Sequence, residues 1–148
     1  MREHLIGTWK LVSAVREELS SKKRDDFFGT DPFGYINYAP DGRMIALLVR
    51  SDRMMPRANT ASPDEAVALF RSMVSYAGRY SIAGNEVTHH VDISWNEIWT
   101  GTDQTRIVTF DGDLLHLSTK PSPDPIEGVM SRRIMTWRRD VTDRTEAA

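Results

Sequence analysis

The chain has 148 residues, with 19 lysines and arginines against 21 aspartates and glutamates, a net charge of -2, and no cysteine. That length suits one domain with a sizeable core, and the near balance of charge supplies no global field to recruit nucleic acid or an anionic membrane. The lack of cysteine excludes disulfides, thiolate nucleophiles and thiolate-held zinc.

Residues 3–6 read as a short lead-in. From Gly7 to Glu18 the residues alternate, with Trp9, Leu11, Ser13 and Val15 on one side and Lys10, Val12, Ala14 and Arg16 on the other, the pattern of a first strand. This strand starts so early that it leaves no room for a secretory or transit segment, and no apolar run reaches membrane-spanning length, so the expected location is the cytoplasm. Leu19 to Asp31 is a polar loop or hairpin of mixed charge. A second strand over 34–39 and a third over 43–50 follow, joined by the turn Pro40-Asp41-Gly42. The third strand is apolar on both faces: Met44, Ala46 and Leu48 would meet a core or cavity, and Ile45, Leu47 and Val49 a helix or a neighbouring subunit.

Ser62, Pro63 and Glu65 form a helix start with a capping box. Ala66, Leu69, Phe70, Met73, Val74 and Ala77 recur at helical spacing, which predicts one amphipathic helix over about 62–77. Its polar face lacks a basic cluster, so it is expected against the barrel or across its open end rather than on a membrane. Strands are then predicted over 79–83, 86–95, 104–110, 114–119 and 130–139, with turns at Gly84-Asn85 and Asp111-Gly112-Asp113 and a Pro-rich loop over 121–128. About eight short strands and one helix predict a mainly β fold: a closed antiparallel barrel over 1–140, which leaves no sheet edge exposed, followed by a frayed tail over 141–148.

The stretch Glu86 to Thr119 concentrates the polar and aromatic chemistry and reads as the wall and mouth of a ligand cavity. Strand parity puts Val87, His89, Val91, Ile93 and Trp95 inward and His90 outward. Adjacent strand residues cannot chelate one metal on the same face, so no metal site is expected; no cofactor is implied either. His89 needs a hydrogen-bonding partner if buried, and its ordinary pKa suits acid-base work. Arg106 shares a face with Gln104, Val108 and Phe110 on the strand expected to pair with that of His89; if that face is inward, it requires either an acid such as Asp92 or Glu97 or an anionic or carbonyl oxygen of a ligand. By the same parity argument Tyr38 and Tyr80 are inward hydroxyl donors or core, while Met44 and Leu48 offer apolar surface. Trp95 and Trp99 flank a strand-end loop where aromatic groups form an entrance. There is no G-x-S-x-G elbow, Gly-rich phosphate loop or H-E-x-x-H, so common hydrolases, nucleotide enzymes and metalloproteases lack their parts.

Gly7-Thr8-Trp9 resembles the G-x-W hallmark of lipocalins, and Trp137-Arg138-Arg139 resembles the basic residue that closes over that tryptophan. With Pro32 to Tyr38, Asp41 to Met44, Tyr76 to Tyr80, the run from His89 to Arg106, and Gly112 to Leu117, the chain is similar to the bacterial and fungal lipocalin-like domain family over nearly its whole length. The resemblance implies a calycin-type barrel around a small, largely apolar molecule, with Trp9 plugging the closed end beneath Arg139. Where relatives carry a proline in one loop, this chain has Ser94-Trp95-Asn96-Glu97-Ile98-Trp99, which implies a distinct mouth. The expected function is binding of a small hydrophobic or aromatic metabolite through His89, Arg106 and Tyr80. One alternative is a cofactor-independent cyclase, isomerase or dehydratase on a polyketide- or terpenoid-like substrate, with His89 as acid or base and Arg106 stabilising an enolate. Another is a structural domain whose apolar strand face makes a homodimer.

Overall fold

The structure, a computed structural model, describes residues 1–123 and 128–141. The remainder of the Pro-rich loop and of the expected tail lies outside the described residues. A short helix α1 (Arg2–Leu5) leads into β1 (Gly7–Glu18), after which come β2 (Arg24–Asp25), β3 (Phe33–Tyr38), β4 (Arg43–Val49), helix α2 (Pro63–Arg71), β5 (Met73–Ala83) and β6 (Glu86–Ser94). A single 3-10 turn (Glu97–Trp99) separates β6 from β7 (Asp103–Asp111), followed by β8 (Leu114–Ser118), β9 (Ser122–Pro123) and β10 (Met130–Arg139). Each long strand pairs antiparallel with the next, and β10 pairs back onto β1, so eight strands close into a barrel while β2 and β9 lie outside its ring. Closure leaves the long strands no free edge to protect.

One end of the barrel is closed by the chain's first residues. Trp9 is buried and donates its indole N–H to the Leu5 carbonyl at 2.9 Å, with the Arg139 guanidinium 4.1 Å above the ring. Arg139 also donates to the carbonyls of Ile6 and His4. The guanidinium thus caps the indole and ties β10 to α1, combining a cation-π contact with two charge-assisted hydrogen bonds. The loops between β1 and β3, β4 and β5, β6 and β7, and β8 and β10 gather at the other end.

Two bulges alter the expected faces. In β1, Leu11 pairs with Trp137 but Ser13 with Thr136, so Val12 is an extra residue. Beyond it the parity reverses and Ala14, rather than Ser13, continues the buried stripe. In β6, Ile93 pairs with Ala77 but Val91 with Gly78, which makes Asp92 the extra residue. Val87, His89 and Val91 are inward and buried as expected, whereas Ile93 turns out to 65% exposure. Gly78 makes this crossing possible, because a Cβ there would lie 1.9 Å from the His90 carbonyl oxygen.

Helix α2 starts where the sequence places it: Ser62 and Glu65 complete the capping box, with Pro63 in the first turn. It ends at Arg71, short of the expected reach to residue 77, and none of its residues is fully buried. Met73, Val74 and Ala77 belong to β5, where Met73 pairs with Val49, Val74 with Leu48 and Ala77 with Ile45. Pairing with β4, joined from Tyr76 onward by pairing with β6, offers this segment more hydrogen bonds and burial than an exposed helix would. In β4, Met44, Ala46 and Leu48 are buried while Ile45 and Leu47 face outward and are about half exposed. No helix long and apolar enough to cross a membrane occurs among the described residues.

Candidate functional site

A cavity opens from the loop-bearing end into the barrel, with about 120 Å³ accessible to the centres of water molecules. That is room for on the order of ten waters, or one substituted aromatic ring. The walls are mostly apolar, from Ile36, Ala46, Leu48, Val74, Leu117 and Met135. Inward alternation on β3, β4, β5, β8 and β10 supplies them directly.

At the inner side of the cavity stands His89, 1% exposed. Its Nε2 lies 2.6 Å from Tyr38 Oη and its Nδ1 2.8 Å from Tyr76 Oη. Both ring nitrogens are therefore engaged, which meets the demand for partners that burial imposes. Burial, and then the charges of Arg106 and His90, push the His89 pKa from 6.5 down to about 3, so the ring is neutral. Burial also raises the pKa of both phenols, the Tyr38 hydroxyl well above its ordinary value.

A neutral imidazole has one N–H and one bare nitrogen, so one tyrosine donates to it and the other accepts. Tyr38 is fully buried, does not line the cavity, and has no other hydrogen-bond partner among the described residues. Its O–H must donate to Nε2, since an unsatisfied buried hydroxyl costs roughly 1–3 kcal/mol. Nδ1–H then donates to Tyr76 Oη. The Tyr76 proton is left over, and Tyr76 lines the cavity.

Arg106 also lines the cavity, because it pairs with the inward, fully buried Val87 across β6 and β7. Its Nη1 donates to the Thr105 carbonyl at 2.9 Å. Neither acid suggested by the sequence meets it: Asp92 pairs with Arg43 at 2.9 Å, and Glu97 accepts from Thr100. Among the described residues Arg106 has no carboxylate partner.

Of the other residues singled out from sequence, Leu48 and Trp99 line the cavity, and Trp99 stands 5.3 Å from the Tyr76 ring. Tyr38 acts one layer behind, through His89. Tyr80 is buried at the closed end, donating to the Ala39 carbonyl at 2.8 Å beneath Arg2. Met44 is core and not cavity wall. Trp95 also falls outside the lining: the bulge at Asp92 shifts the parity, and its ring meets Phe70 of α2 and the outer side of Trp99. His90 points out as expected, between Ser81 and Asp103 at 2.8 Å each.

Sequence reasoning missed Tyr76, Phe27, Arg133 and Trp137, all of which line the cavity. Tyr76 was hidden inside the helical stripe, although its alternation with Val74, Gly78 and Tyr80 is the strand signal. Phe27 and Phe28 were the apolar pair in an otherwise polar loop. That loop is held by Glu17, a buried carboxylate on β1 that accepts from Arg24 at 2.7 Å and from Arg132 at 3.0 Å.

A closed eight-stranded barrel with an apolar cavity open at one end, and an arginine-capped tryptophan at the other, defines a small-molecule-binding barrel of the calycin kind. The chain belongs to the lipocalin-like domain family, whose model matches residues 6–140. It is 32% identical over 88 residues to the 4'-hydroxy-3'-methoxypropiophenone carrier protein ppsC of Aspergillus oryzae, a match covering 54% of this chain and 78% of that protein. Among solved structures, an uncharacterized protein from Bacteroides eggerthii is similar, with a TM-score of 0.43 and 13% identity over 92% of this chain and 99% of that one.

Proposed function

We propose that the protein is a carrier for a small aromatic, oxygen-bearing metabolite held in the barrel cavity. The observation that carries this reading is the arrangement around Tyr76: an apolar chamber open at one end, with a hydroxyl proton left free for a ligand by the Tyr38 and His89 hydrogen bonds. Trp99 offers a flat face at the rim and Arg106 further donors. The similarity to a carrier of an aryl ketone supports the same class of ligand.

Acid-base catalysis by His89 has less support. A general base needs a pKa near the working pH and a free nitrogen, and His89 has neither. Isothermal titration with 4'-hydroxy-3'-methoxypropiophenone and related aryl ketones tests the proposal. One-to-one binding with recovery of the unchanged compound is expected; no heat with any member of the series, or conversion of the compound, would count against a carrier.

A further inference from the structure

Most of the polar groups around the cavity have a proton to give, and the Thr119 hydroxyl, which already accepts from the Arg133 backbone N–H, can donate as well as accept. Tyr76 has its hydroxyl proton to give, because its oxygen accepts from His89 Nδ1–H while Tyr38 donates to Nε2. Trp137, which lines the cavity at 2% exposure, has a buried indole N–H with no acceptor among the described residues. Arg106 spends one N–H on the Thr105 carbonyl and keeps the others. His89 offers no lone pair, since both nitrogens are used.

Charge points the same way. The lining contains Arg106 and Arg133 but no carboxylate. Arg133, at the exposed rim, lies over the Phe27 ring at 5.5 Å, and has no carboxylate partner among the described residues. Asp25, an acid on the neighbouring flap, is held by Arg16 at 2.6 Å. The titratable groups that also face the cavity, His89 on β6 and Tyr76 on β5, are neutral, as is the Thr119 hydroxyl. A half-buried guanidinium without a counter-ion is costly, and a ligand bearing negative charge relieves that cost. The orphaned indole N–H of Trp137, on β10 two strands along the wall from Arg106, is an independent sign that the occupant brings acceptors.

We infer that the cavity recognises its ligand chiefly through the ligand's acceptor oxygens and binds an aromatic compound as its oxyanion, with the ionised oxygen against Arg106. This rests on the carrier reading and adds the ionisation state of the cargo. The fit is to an acidic ring hydroxyl or to an aryl carboxylate, which share that chemistry. Electrostatic pairing with a cation lowers the pKa of an acidic group, here by about one to three units.

Three probes test it on the full chain: 4'-hydroxy-3'-methoxypropiophenone, its 4'-methyl ether, and the matching 4'-carboxylate. Binding is measured across pH, with the phenolate absorption band recording ionisation of the bound phenol. If the inference holds, the bound phenol ionises at a pH where the free compound is still neutral, or the carboxylate binds at least tenfold more tightly than the ether. Which of the two occurs tells whether the cargo is a phenol or an acid. Arg106→Met should abolish the preference and Arg106→Lys retain part of it, with circular dichroism confirming that both variants fold. Equal binding of all three probes at every pH, or a preference that survives Arg106→Met, would overturn the inference while leaving the carrier reading intact. Failure of every probe to bind overturns both.

Discussion

Tyr38 and His89, 51 residues apart in the chain, meet with Oη 2.6 Å from Nε2, and both side chains are buried. With Tyr76 on the other nitrogen, the contacts give the imidazole one orientation, and burial with the charges of Arg106 and His90 keeps it neutral. The burial that produces this has a consequence for stability. The unfolded chain binds a proton on His89 near pH 6.5, whereas the folded chain does so only near pH 3. Between those values the unfolded state holds the extra proton, so this contribution to stability falls as the pH drops, by up to about 1.4 kcal/mol per unit. Urea unfolding at pH 7, 6 and 5 should show the loss beginning above the carboxylate range. His89→Gln should flatten that limb; an unchanged slope would mean that His89 is not its source.

The tautomer can be read directly. Nitrogen-15 shifts of His89 should show a protonated Nδ1 and a bare Nε2. Tyr38→Phe removes the donor to Nε2 and should cost about 1–3 kcal/mol of stability, although Tyr38 touches no ligand. The opposite tautomer would withdraw the Tyr76 proton from the cavity and leave the proposed ligand contact without its donor.

Trp9→Ala should destabilise by roughly 3–5 kcal/mol, because it empties a buried site and leaves Arg139 without its ring. Thermal unfolding measures this. An unchanged midpoint would contradict the plug.

The two tryptophans of the mouth should separate. Trp99 lines the cavity beside Tyr76 and Trp95 does not. Trp99→Ala is expected to weaken ligand binding by tenfold or more, equivalent to about 1.4 kcal/mol, and Trp95→Ala to weaken it less. The reverse order would place Trp95 at the ligand and argue against the bulge at Asp92.

Gly78→Ala should cost about 1–3 kcal/mol or more through overpacking, since its Cβ would collide with the His90 carbonyl. It should also move His89, so that ligand affinity falls with stability. Retained affinity at full stability would show that β5 and β6 can separate at this point without disturbing the site.

Much of the barrel was legible because an antiparallel strand writes its burial at every second residue. Val87, His89 and Val91 could be placed inward, and His90 outward, from their company alone. The start of α2 was legible for a similar reason, as Ser62, Pro63 and Glu65 act within one turn. The end of α2 was not. Met73, Val74 and Ala77 fit helical spacing but lie equally well in an extended segment, and only pairing with β4 decides between the two.

Local alternation, turn chemistry and capping, all properties of neighbouring residues, were enough to predict about eight successive strands in a closed barrel and the inward side of His89, while the side taken by Arg106 stayed open. The resemblance of Gly7-Thr8-Trp9 and Trp137-Arg138-Arg139 to the family hallmark indicated the closed end. Tertiary structure decided the rest. Each bulge adds one residue and so reverses every side chain beyond it, which turned Ile93 outward and took Trp95 off the cavity wall. The site itself depends on partners distant in sequence. Tyr38, Tyr76 and His89 come from three strands, and the proton each holds is set by the burial and contacts of the others, which no local pattern records.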